Sequence, residues 1–106
     1  MRTAKSLRSD VFDAIAHPVR RRIVQRLGRG PAAVHELTGD FDITQQAVSK
    51  HLRVLTEAGV ALAQRRGQEN VYYLAPQSLK KVRTWLDSFW SERLASLKSI
   101  AEENEQ

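Results

Sequence analysis

Apolar residues recur at helical spacing in four stretches of this chain and crowd into two short β-type runs in a fifth, which divides it into elements. Between residues 44 and 58, at about 100° per residue, Ala47, Val48, Leu52, Val54, Leu55 and Ala58 gather on one side of a helix. Gln45, Gln46, Ser49, Lys50, Arg53, Thr56 and Glu57 gather on the other. Thr44 suits the N-cap and Gly59 the position just past the last turn, so both ends of this helix are marked. Upstream, Ser9 or Asp10 can cap a short helix over 11–16, which His17-Pro18 interrupts, because a proline ring disfavours helical geometry in the residue before it. Pro18 opens the next helix, with Val19, Ile23, Val24 and Leu27 inward and Arg21, Arg22, Gln25 and Arg26 outward, ending at Gly28. Arg20 falls at the edge of the apolar arc, which predicts a half-buried guanidinium bonded to a carboxylate or a carbonyl.

Gly30-Pro31 predicts a turn, 31–37 a short third helix, and Thr38-Gly39-Asp40 a break before Thr44. Two helices joined by a short turn, the second amphipathic, form a helix-turn-helix. The β-rich runs 60–65 and 71–74 then flank a polar turn containing Gly67, which reads as a hairpin with Arg65 and Arg66 near its tip. Pro76 ends the hairpin, and 77–103 reads as one helix of about 40 Å. Its apolar stripe includes Trp85, Leu86, Phe89, Trp90, Leu94 and Leu97, too long for a small domain to cover, so a second copy of the chain is the expected cover. Arg93 lies within that stripe and needs an ionic partner, across the interface or from Asp13 or Glu92. Residues 102–106 are polar and expected to fray.

Composition narrows what such an arrangement can do. The 106 residues make one domain, with 1–8 as a flexible basic tail, 9–75 as a winged helix and 77–103 as a dimerisation helix. Net charge is +5, and the whole excess lies in residues 1–75, where twelve basic residues face seven acidic ones. The basic part therefore suits a polyanion and the neutral helix another task. Two amides, a hydroxyl, an ammonium and a guanidinium on the outer face of 44–58 are the groups that bond base edges and phosphates in a DNA major groove. Most stand in its first two turns, the part a recognition helix presents to bases. An acidic protein partner would call for charge without the amides. No apolar run of about 18 residues offers a membrane span and no apolar signal core opens the chain, so a cytoplasmic protein is expected. Cysteine is absent, which removes disulfides, thiolate metal sites and thiol redox sensing. His17, His35 and His51 with carboxylates form the competing metal-binding set, but they fall on separate helices, and His51 lies on an apolar face where a hydrogen-bonded core imidazole is expected. No nucleophile, base and orienting group recur at a useful spacing, so no enzyme and no cofactor is expected.

The order IAHPVRRRIVQRL, VHELTGDFDITQQAVSKHLRVLTEAGV, AQRRGQENVYYLA and then a long aromatic helix resembles the ArsR-type winged-helix repressors over nearly the whole chain. The segment QQAVSKHLRVLTEAGV carries the resemblance most specifically. It implies a mainly helical winged helix-turn-helix with a small β-hairpin wing. It also implies a homodimer built from the first and last helices, with Phe12, Ile15, Leu86, Phe89, Trp90, Arg93 and Leu97 at the interface. Double-stranded DNA is the implied partner, bound at an imperfect palindrome near the chain's own promoter. The implied contacts come from Gln45, Gln46, Ser49 and Lys50 and from the wing tip, to which Arg53, Arg65 and Arg66 add by their charge. Many members sense metals through cysteine in the third helix, or through histidine and carboxylates on the last. This chain has Val34-His35-Glu36-Leu37 in the first place and no histidine in the second, so it resembles members without a metal site, some of them autorepressors, and leaves any small-molecule inducer unspecified.

Overall fold

A computed structural model describes residues 10–104. The basic tail expected over 1–8 lies outside the described residues, as do Ser9 and residues 105–106. In chain order the elements are α1 (Val11–Ala14), α2 (Pro18–Leu27), β1 (Ala32–Ala33), α3 (Val34–Phe41), α4 (Gln45–Glu57), β2 (Ala61–Arg66), β3 (Glu69–Leu74), a 3-10 turn (Pro76–Ser78) and α5 (Leu79–Asn104).

Each helix start has a chemical cause. Asp10 accepts the Asp13 N–H at 2.8 Å and caps α1. His17 caps α2 through Nδ1, which accepts the Val19 N–H at 3.1 Å, with Pro18 at the first position. The Glu36 carboxylate reaches back to the Ala33 N–H at 2.9 Å before α3. Thr44 Oγ1 accepts the Ala47 N–H at 3.1 Å, as its place before the apolar run predicts. Helices α2, α3 and α4 pack their apolar faces together, and Ile23, Leu37, Val48, Leu52, Leu55 and Val60 are fully buried there. The outer faces of α4 and of the hairpin are thereby left to solvent.

Four expectations about boundaries need correction. Helix α1 stops at Ala14, not residue 16, because the guanidiniums of Arg20 and Arg21 take the carbonyls of Asp13, Ala14 and Ile15. The third helix covers 34–41 and not 31–37. Ala32 and Ala33 pair instead with Tyr72 and Val71 of β3, making a three-stranded antiparallel sheet in the order β1-β3-β2. The expected break at Thr38-Gly39-Asp40 lies inside α3: Thr38 bonds back to the Val34 carbonyl at 2.9 Å, and the chain turns only at Asp42, in the left-handed region at φ 50°. The last helix begins with a 3-10 turn at Pro76 and stays helical through Asn104, past the point where fraying was expected.

Helix α4 is joined to α5 through Gly59 and Ser78. Gly59 has φ 77°, and the Ser78 hydroxyl lies 2.9 Å from its carbonyl and 3.3 Å from that of Ala58. A Cβ at position 59 would stand 2.9 Å from Ser78 Oγ. Gly59→Ala is therefore expected to destabilise the fold by about 1–3 kcal/mol, through left-handed strain and the lost serine contact. Urea titration checks this, and an unchanged midpoint would contradict it.

Candidate nucleic-acid interface

The exposed face of α4 carries Gln45, Gln46, Ser49, Lys50 and Arg53 around one shallow groove, as the helical spacing predicts. Beside it, a cleft of about 330 Å³ separates the start of α4 from the hairpin and is lined by Gln45, Ser49, His35, Arg65, Gln68 and Asn70 among others. The two wing arginines part company. Arg65 pairs in register with Asn70, lines the cleft, and donates from Nε to the Gly67 carbonyl at 3.1 Å. Arg66, one residue on, points to the opposite face of the hairpin, as strand alternation requires, and donates to the Tyr73 hydroxyl at 2.9 Å. A two-residue turn of Gly67 and Gln68 joins the strands, Gly67 at φ 63°.

Sequence reasoning missed His35, Gln68 and Asn70. The hairpin register holds the signal for Asn70, since a turn at 67–68 sets it opposite Arg65. His35 is at the start of α3, its Nδ1 3.6 Å from the Glu69 carboxylate across the cleft, and nothing in the local pattern pairs those two positions.

The other two histidines are not apart, as their positions on separate helices suggested. The His17 and His51 rings lie 4.5 Å apart between centroids, next to Arg20. Burial, and after it the charges of His17 and Arg20, hold His51 below its ordinary value of 6.5, so its ring is neutral at pH 7. Among the described residues no group of three or more histidines, cysteines or carboxylates is arranged to hold a metal ion. Arg20 is half-buried and bonded to carbonyls, as its place on the apolar arc predicts.

Along α5, Leu79 and Val82 pack on the core, and beyond them the stripe opens to solvent. Phe12 of α1 meets Trp85 edge-on at 5.5 Å, and Trp85 meets Phe89 at 5.0 Å. Leu86, Phe89, Trp90, Leu94, Leu97 and Ile100 remain 44–64% exposed, whereas Ile15 is half-buried. Arg93 is exposed, and no ion pair joins it to Asp13 or Glu92 among the described residues, so of the two expected arrangements a partner across an interface is the one left open. No helix among the described residues is long and apolar enough to cross a membrane.

Comparison with known proteins agrees with this geometry. A helix-turn-helix domain model matches residues 15–64. The HTH-type transcriptional regulator Rv2034 of Mycobacterium tuberculosis is 43% identical over 83 residues, covering 78% of each chain. The transcriptional repressor SdpR of Bacillus subtilis is 32% identical over 76% of this chain and 90% of its own length. The solved structure of an ArsR-like transcriptional regulator from Rhodococcus sp. RHA1 superposes with a TM-score of 0.72 at 28% identity, over 97% of both chains. Recognition helix, wing, long aromatic helix and these similarities agree: the chain belongs to the ArsR-type winged helix-turn-helix family of transcriptional regulators.

Proposed function

We propose that the protein acts as a homodimeric repressor that binds an imperfect palindrome in a promoter, its own included, by binding alone and without catalysis or a metal cofactor. The observation that carries this reading is the face of α4: amides and a hydroxyl, which discriminate bases, stand beside cations, which hold phosphates, at the start of an exposed helix flanked by a basic hairpin. The uncovered stripe of α5 supports a second copy. Two recognition helices about 34 Å apart would then enter successive major grooves on one face of the duplex, where the chromosome lies in the cytoplasm. Gln45 and Gln46 read base edges in this scheme, adenine being the natural partner of a bidentate amide. Ser49, Lys50 and Arg53 divide between bases and phosphates, and Arg65 and Arg66 grip the flanking backbone.

Footprinting of the DNA upstream of the chain's own gene, against a random-sequence competitor, tests the reading. Protection of a two-fold symmetric site is the expected result, and equal affinity for both DNAs contradicts it. Within the site the roles separate. Gln46→Ala is expected to lose about 1–3 kcal/mol on the preferred sequence and little on random DNA. Arg66→Ala is expected to weaken binding to all sequences and reduce the salt slope by about one unit. Equal losses by both variants on both DNAs would refute that division.

A further inference from the structure

Three side chains away from the groove-facing surface meet where α1, α2 and α4 join. His51 is on the half-buried side of α4, its ring tilted 51° to that of His17. Arg20, on α2, spans the joint. Its Nε donates to the Ala14 carbonyl at 2.7 Å, one terminal nitrogen donates to the Asp13 carbonyl at 3.2 Å, and the other lies 3.3 Å from His51 Nδ1. Because α1 also carries Phe12, which meets Trp85 of the long helix, one guanidinium links the recognition helix to the element that touches α5.

Hydrogen-bond chemistry dictates the protonation state this joint requires. A guanidinium has donors and no acceptor, so the Arg20–His51 contact is a bond only while Nδ1 of His51 keeps its lone pair and the proton sits on Nε2. His17 is under the same constraint, since its Nδ1 accepts a backbone N–H, that of Val19, as the cap of α2. A proton on either Nδ1 sets donor against donor and adds positive charge beside Arg20. The charges that act on the His51 ring are those of His17 and Arg20, and with burial all three oppose its protonation. From the neighbouring elements, Asp13 contributes its main-chain carbonyl, the Asp10 carboxylate is engaged by the Asp13 N–H, and Lys50 and Arg53 on α4 are exposed.

We infer that His17, Arg20 and His51 are positioning residues, holding the recognition helix at its DNA-reading angle only while both imidazoles are neutral, so that mild acid loosens DNA binding. This rests on the reading of the chain as a DNA-binding dimer. The sign follows from linkage. A histidine whose folded-state pKa is depressed contributes stability that is present above about 6.5 and is lost as pH falls through the folded-state value.

The experiment compares the full chain with its His17→Asn/His51→Asn variant, both in a His35→Asn background so that no other imidazole titrates. Asparagine caps a helix well, and its Oδ1 stands about where Nδ1 was, so both acceptors are kept while the protonation is removed. The probe is a duplex that the protein itself enriches from a random-sequence pool at pH 8, with affinity measured by fluorescence anisotropy at pH 8 and 5.5. The chain with both histidines is expected to weaken about tenfold or more between the two pH values. The asparagine variant is expected to hold its affinity or to gain. Equal ratios for the two proteins would overturn the inference and leave the DNA reading intact. Loss of the helical circular dichroism signal at pH 5.5 would also overturn it, by substituting global unfolding for a local joint. Failure to enrich any duplex at pH 8 would sink the DNA reading and the joint with it.

Discussion

Trp90→Glu is expected to turn a dimer into a monomer and to abolish operator binding. Trp90 is 64% exposed at the centre of the uncovered part of α5, between Leu86 and Leu97, and none of the described residues covers it. A tryptophan buried at the centre of an interface is typically worth 2 kcal/mol or more, and a carboxylate left in its place has no partner there. In a two-fold symmetric dimer the same patch meets itself, so every substitution is made twice. The expected loss is therefore at least about 4 kcal/mol, or about a thousandfold in the dimer dissociation constant. A monomer offers DNA one recognition helix and one wing and forfeits the second half-site. Light scattering after gel filtration at micromolar concentration reads the mass directly. A variant that remains dimeric would remove Trp90 from the interface.

Leu52→Ala is expected to produce the largest loss of fold stability. Leu52 is fully buried on the core-facing side of α4, in the cluster that includes Ile23, Leu37 and Leu55. Removing its methyls takes away their transfer energy and leaves a cavity that helices from three directions cannot close, at about 3 kcal/mol. For a domain of this size that lowers the melting temperature by about 12–24 °C. The measurement needs matched protein concentrations, because the melting point of a dimer depends on them. Gln46→Ala, about one turn and a half away on the outer face, is expected to leave the stability within about 0.5 kcal/mol of the parent. If both variants melted alike, the two faces of α4 would not be the independent surfaces described above.

The sequence was readable where one residue type has one economical place. Thr44 before an amphipathic run and Gly59 after it set the recognition helix to within a residue. The Gly67 turn placed the hairpin, and the aromatic stripe of the last helix announced a face that the described residues leave exposed. It was unreadable where partners distant in sequence decide. Ala32 and Ala33 have good helix propensity and follow a proline, yet they lie in a sheet because Val71 and Tyr72, some forty residues on, supply the ladder. The meeting of His17 and His51 likewise depends on how α2 crosses α4, which no local periodicity encodes. The separation of Arg65 from Arg66 follows from strand alternation alone, and was lost by reading them as a single basic tip.

The two-residue strand β1 has an effect out of proportion to its length. By bonding β3 on the side away from β2, it makes the strand that carries Tyr72 the middle of the sheet and fastens it to the residues that open α3. The base of the wing cannot swing without pulling on the helix-turn-helix, whereas its outer loop, at Gly67 and Gln68, is held by a bond within the hairpin itself, from Arg65 Nε to the Gly67 carbonyl. Lengthening or recoding that loop should thus change how much flanking duplex is embraced while leaving the choice of bases to α4, two properties that selection or an engineer can vary one at a time.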